Sequence, residues 1–76
     1  MVFMEFQYAN ERFYFVGTDR VKMFRDAELM ARRKASSQQE ITEREVRRLG
    51  FKEGDLEGGI SAAQGGCESF FLGTRR

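Results

Sequence analysis

The sequence predicts an α+β fold: an N-terminal β-hairpin packed on two α-helices, followed by a glycine-rich, partly disordered C-terminal tail. Three compositional features carry that reading. Six of the ten aromatic residues lie within residues 1–19, ten of the thirteen basic residues lie within residues 20–52, and six of the eight glycines lie within residues 53–76. Residues 1–52 therefore read as a single small α+β domain and residues 53–76 as a glycine-rich tail able to add a short strand.

The aromatic opening alternates. With Asn10 and Glu11 as a two-residue turn, Tyr8 faces Phe13, Phe6 faces Phe15 and Met4 faces Gly17 on one side of a ribbon. The other side carries Glu5, Gln7, Tyr14 and Val16. One apolar face and one mixed face describe a hairpin buried on one side. A hairpin alone is marginal in water, so another element must cover it.

The basic middle supplies that cover. Asp19 is placed to cap a first helix running to about Ala35, with Phe24, Ala27, Met30 and Ala31 along one face. Ser37 and Glu40 have capping-box spacing and predict the start of a second helix. That helix buries Ile41, Val46 and Leu49 and stops at Gly50, where a left-handed residue ends it. Beyond Phe51 the glycines at 54, 58, 59, 65 and 66 argue against a long regular element. The reading is disorder from about Asp55 to Gly66, then a short apolar cluster from Cys67 to Leu72 that serves as a third strand or a mobile tail.

Much chemistry is excluded by composition. The chain has no histidine and one cysteine, so it offers neither an imidazole base, nor a zinc ligand set, nor an internal disulfide. Cys67 stands beside Glu68, which disfavours a thiolate. The pairs Gly58-Gly59 and Gly65-Gly66 match neither a dinucleotide fingerprint nor a P-loop, and Glu53 and Asp55 lack the wider ligand set that calcium needs. The expectation is a non-enzymatic protein with no cofactor and no metal. Its longest apolar runs fall far short of the roughly 20 residues of a spanning helix, and no signal-peptide pattern opens the chain. An intracellular, cytoplasmic protein is expected.

The formal charge of +1 conceals a pattern: the three regions carry −2, +5 and −2. In the predicted second helix Glu40 and Arg44, and Glu43 and Arg47, stand four apart and balance one another. The first helix keeps a surplus that ends in Arg32-Arg33-Lys34. Cations at a helix C-terminus complement its dipole, which is a sufficient structural explanation. The functional reading is a small regulatory protein that binds a larger macromolecular partner, a protein of the transcription or nucleic-acid machinery. Arg25, Arg32, Arg33, Lys34 and Arg44 are the electrostatic contacts, and Tyr14, on the outer face of the hairpin, is an apolar anchor.

Two alternatives stand beside it. One is a DNA-binding regulator of helix-turn-helix type, with Gln38, Gln39, Arg44 and Arg48 on the reading helix. Three acids on that helix (Glu40, Glu43, Glu45) and the lack of a turn glycine weigh against it. The other is a small subunit of a larger assembly.

Overall fold

A computed structural model describes all 76 residues. The chain forms strands β1 (Val2–Gln7) and β2 (Arg12–Gly17), helix α1 (Arg20–Ala31), strand β3 (Ser37–Ile41), helices α2 (Glu43–Arg47) and α3 (Glu53–Gln64), and strand β4 (Phe70–Arg75). The strands make one antiparallel sheet in the order β3-β1-β2-β4. This corrects the expected hairpin on two helices: there are four strands and three helices, and no disordered tail.

Both faces of the sheet are covered. Met4, Phe6, Tyr8, Phe13 and Phe15 pack against Met23 and Ala27 of α1. On the opposite face Phe3, Tyr14, Val16, Ile41 and Leu72 pack against Val46 of α2 and Leu56, Ile60 and Ala63 of α3. Central strand β2 is consequently buried at every position from Phe13 to Gly17. A continuous run of apolar residues is what a strand covered on both sides requires. The expected outer face of the hairpin, with Tyr14 and Val16, is instead an inner face beneath α3; both residues are fully buried.

The hairpin forms with a different turn. Gln7 pairs with Arg12 and Phe6 with Phe13, so the register is moved by two residues from the expected one. Tyr8 N–H donates to the Glu11 carbonyl at 2.9 Å, leaving Ala9 and Asn10 in the turn. Asn10 does not take the left-handed conformation that a turn on Asn10-Glu11 would have used; Arg32 is the one non-glycine residue with positive φ. A shift of two preserves the faces, because side chains alternate with period two. The expected ring partners still touch, as diagonal neighbours: Phe6–Phe15 at 5.7 Å and Tyr8–Phe13 at 5.0 Å between centroids.

Helix α1 begins as its sequence predicts. Asp19 Oδ1 accepts from the backbone N–H groups of Val21 and Lys22, at 2.9 and 3.1 Å. It stops at Ala31 rather than near Ala35, through Arg32 in the left-handed conformation (φ 59°). The chain must turn back there to reach β1, where the backbone and hydroxyl of Ser36 both donate to the Gln7 carbonyl. Its buried positions are Met23 and Ala27, with Met30 half exposed, so the helix is rotated from the expected stripe.

The expected second helix from Ser37 is replaced by β3 and a shorter α2. The sequence holds two capping-box patterns in tandem, Ser37 with Glu40 and Thr42 with Glu45, and the structure uses the second. Thr42 Oγ1 accepts from Glu45 N–H at 3.1 Å, and Glu45 Oε1 accepts from Thr42 N–H at 3.0 Å. Residues 37–41 instead complete the ladder on the free edge of β1, seating Ile41 beside Phe3. Gly50 is left-handed (φ 77°), as expected of the residue that ends this segment.

Helix α3 overturns the expected disorder at 55–66. Leu56, Gly59, Ile60 and Ala63 are buried at helical spacing, and Glu53 and Asp55 occupy the first turn, where acids complement the dipole. Gly59 is the point of closest approach to the sheet. A Cβ there would lie 2.8 Å from Leu72 Cδ2, 2.9 Å from Phe70 Cδ1 and 3.0 Å from Val16 Cγ1. The glycine that weakens the helix intrinsically is what lets it pack.

Candidate functional site

Three cations of the helical region, Arg47, Lys22 and Arg20, are answered by carboxylates within the chain. Arg47 reaches Glu43, Glu53 and Glu57 at 2.9, 3.0 and 2.8 Å and ties α2 to α3. Those three carboxylates hold its guanidinium far above its ordinary pKa, Glu57 being the largest cause. Lys22 pairs with Asp26 at 2.9 Å, and Arg20 with Glu40 of β3. The expected Glu40–Arg44 pair does not form, since Glu40 belongs to a strand and turns to Arg20.

Arg25, Arg32, Arg33 and Lys34 are exposed and have no carboxylate within ion-pair distance. They occupy the second half of α1 and the turn that follows it. The Arg33 guanidinium lies 5.6 Å from the centroid of the Tyr8 ring, a cation–π contact that orients it over a buried aromatic floor. The Tyr8 hydroxyl is pushed above its usual pKa, mainly by burial and then by Glu28, with Arg33 opposing. Glu28 is the acid that acts on this ring, opposed there by Arg33.

The same region presents large apolar side chains to solvent. Leu29 is 76% exposed and Met30 47%. Leu29 stands one turn beyond Arg25, on the side of α1 opposite the buried Met23 and Ala27. Residues 25–34 therefore expose four cations together with Leu29 on the outer side of α1 and Met30 at the end of its sheet-facing side. Sequence reasoning placed Met30 in the core and passed over Leu29. Val21, Met23 and Leu29 all fall off the predicted stripe, yet Met23 is buried while the other two are exposed, so stripe position alone did not mark Leu29.

The other two residues singled out from sequence do not join this group. Arg44 is exposed on α2, which packs on the opposite face of the sheet. Tyr14 is fully buried and cannot act as a surface anchor. Its hydroxyl donates to Glu5 Oε2 at 2.5 Å, while Gln39 Nε2 donates to Glu5 Oε1 at 2.8 Å, so three strands are joined by one carboxylate. Burial first, and then Glu5, push the Tyr14 hydroxyl up to about 12. The placement of α1 and α2 on opposite faces, with β3 between them in sequence, also removes the helix-turn-helix outline.

Cys67 is half-buried with its Sγ 3.5 Å from the Ser69 carbonyl, and no three Cys, Asp or Glu side chains converge as a metal site would need. No helix is long and apolar enough to cross a membrane. Comparison with protein-family models, with curated proteins and with solved structures finds no match for this chain.

Proposed function

We propose that this chain is a non-enzymatic binding protein of the cell interior, docking onto a larger protein through the outer face of α1 and the Arg32–Lys34 turn. The observation that carries the reading is the coincidence of four unanswered cations with solvent-exposed Leu29 and Met30 in one ten-residue stretch. Such a surface suits an acidic segment with apolar anchors, for instance an acidic amphipathic helix. The apolar side chains provide the buried contact, and the cations steer the encounter. A phosphate backbone would find no use for Leu29, which favours a protein partner over nucleic acid.

The test is affinity capture from source cells with the wild-type chain, Leu29→Asp, and the triple reversal Arg32→Glu, Arg33→Glu, Lys34→Glu. A defined partner held by the wild type and lost by both variants supports the reading. Association with that partner should also slow as salt rises, while Leu29→Ala should hasten its dissociation. Retention by all variants overturns the reading, as does tight binding to duplex DNA whose affinity falls steeply with salt.

A further inference from the structure

The sheet has two free edges, and they are finished differently. At the β4 edge the ladder with β2 is broken: Phe15 pairs with Phe71 and Tyr14 with Gly73, leaving Leu72 as an extra residue in a bulge. Gly73 sits at φ 146° under the Phe51 ring, and Arg75 Nε donates to the Leu49 carbonyl. Bulges, twisted glycines and charged residues are the devices by which proteins blunt a strand edge.

The β3 edge has neither a bulge nor a glycine, and only one charged residue. Its pairing with β1 runs unbroken from Ser37–Gln7 to Ile41–Phe3. The strand contains no lysine or arginine, and the chain contains no proline at all. Residues Ser37 to Glu40 are exposed, and their outer edge meets no other strand. The single charge, Glu40, is neutralised by Arg20. Beside it, where α1 covers β1 and β2 but stops short of β3, lies an open cleft of about 270 Å³ lined by Arg20, Val21, Phe24 and Gln38.

We propose that β3 is a self-association edge, on which a second copy of this chain pairs antiparallel through its own β3 to make an eight-stranded sheet. Complementarity within the strand identifies the occupant. With a two-fold axis through Gln39, Gln39 lies opposite Gln39 of the second copy, Gln38 opposite Glu40, and Ser37 opposite Ile41. Each carboxylate then meets an amide twice over, and no like charges face each other. Moving the axis to Glu40 would set two carboxylates directly opposed, which destabilises a ladder. Gln39 is already held in place by its bond to Glu5. Because opposed residues share a face, both copies of α1 lie on one side of the joined sheet. The two clefts then flank the new ladder, with Val21 and Phe24 of each copy along one groove.

A five-residue ladder belongs to the small, transient class of interface, below roughly 1,200 Å². A dissociation constant of about 10 μM to 1 mM is expected for such a contact. The surface used differs from the Arg32–Lys34 region, so the two proposals fail separately.

The test is sedimentation of the full chain from about 10 μM to 2 mM, which spans the expected constant, with amide spectra confirming that each variant is folded. Gln38→Lys places a cation opposite Glu40 of the second copy and should tighten the dimer roughly 2- to 30-fold; Gln38→Glu should weaken it by a similar factor. Gln39→Lys keeps a partner in Glu5 but sets two cations together on the axis, and should abolish pairing. A chain that stays monomeric throughout overturns the proposal. So does an equal response to the two Gln38 variants, or a dimer indifferent to Gln39→Lys.

Discussion

On the α3 side of the sheet, polar groups are joined into closed networks, whereas on the α1 side a run of cations is left open. Arg47 is shared by three carboxylates, Glu45 is consumed by the α2 cap, and Glu5 is held by Tyr14 and Gln39. Across the sheet, α1 is fastened by Asp19 at its start and by an aromatic floor of Phe6 and Phe15, against which its own Phe24 packs. Arg25, Arg32, Arg33 and Lys34 contribute little to holding it there. The contrast is one of arrangement: Arg44, Arg48 and Lys52 are also unpaired on the α3 side, and Arg20 and Lys22 are paired on the α1 side, but only after α1 do three unpaired cations stand in succession.

Three experiments sharpen or break that contrast. The largest effect is expected on the closed side, from Gly59→Val. A Cβ already collides with Leu72, Phe70 and Val16, and two further methyls have nowhere to go. Overpacking of this kind costs about 2–3 kcal/mol, measured as a fall in the denaturant midpoint. If the variant were as stable as the wild type, α3 would not be closely fitted and the contrast would weaken.

The second concerns Tyr14, whose pKa is raised to about 12 by burial and by Glu5, against an unfolded value near 10. A raised tyrosine pKa means that the fold favours the neutral hydroxyl, so its contribution is fully present below pH 10. Between pH 10 and 12 the unfolded chain ionises while the folded one resists. Stability therefore declines across that window, by about 3 kcal/mol at most from this group. Unfolding measured at pH 9 and pH 11.5 should show the decline in the wild type and a smaller one in Tyr14→Phe. In parallel, tyrosinate absorbance should appear at higher pH in the folded chain than in denaturant. Equal declines in the two proteins would detach the effect from Tyr14.

The smallest effect belongs to the open side. Neutralising Arg32, Arg33 and Lys34 to Gln removes the Arg33–Tyr8 contact and the cations that complement the C-terminus of α1, and should cost about 1 kcal/mol. A large destabilisation would show that these cations are architectural after all.

The sequence was most readable where one local rule acted alone. Asp19 caps α1 because nothing competes for it, Gly50 ends its segment, and the hairpin faces survive a register shift because period two tolerates it. It was unreadable where two rules conflicted. Residues 37–41 carry a capping signal of their own, and only the vacancy beside β1, a long-range fact, turns them into a strand. In α3 the helical stripe Leu56–Ile60–Ala63 was visible, but the neighbouring glycines outweighed it by intrinsic propensity of about 1 kcal/mol each. That Gly59 is a packing surface emerges only once the sheet stands against it. Of the proposed binding surface, Arg25 and Arg32–Lys34 were legible as unbalanced charge. Tyr14 was misplaced because the layer over it is largely α3, a segment expected to be disordered, and Leu29 was missed because the buried stripe was set by Phe24 and Met30 rather than Met23.

Arg32 ends α1 with a left-handed backbone that arginine adopts reluctantly and glycine adopts freely. A selection for heat resistance alone would therefore be drawn to Arg32→Gly, which relaxes the helix ending. The same exchange would strip a cation from the surface on which the proposed partner depends. Durability and the proposed recognition pull against each other at this one residue.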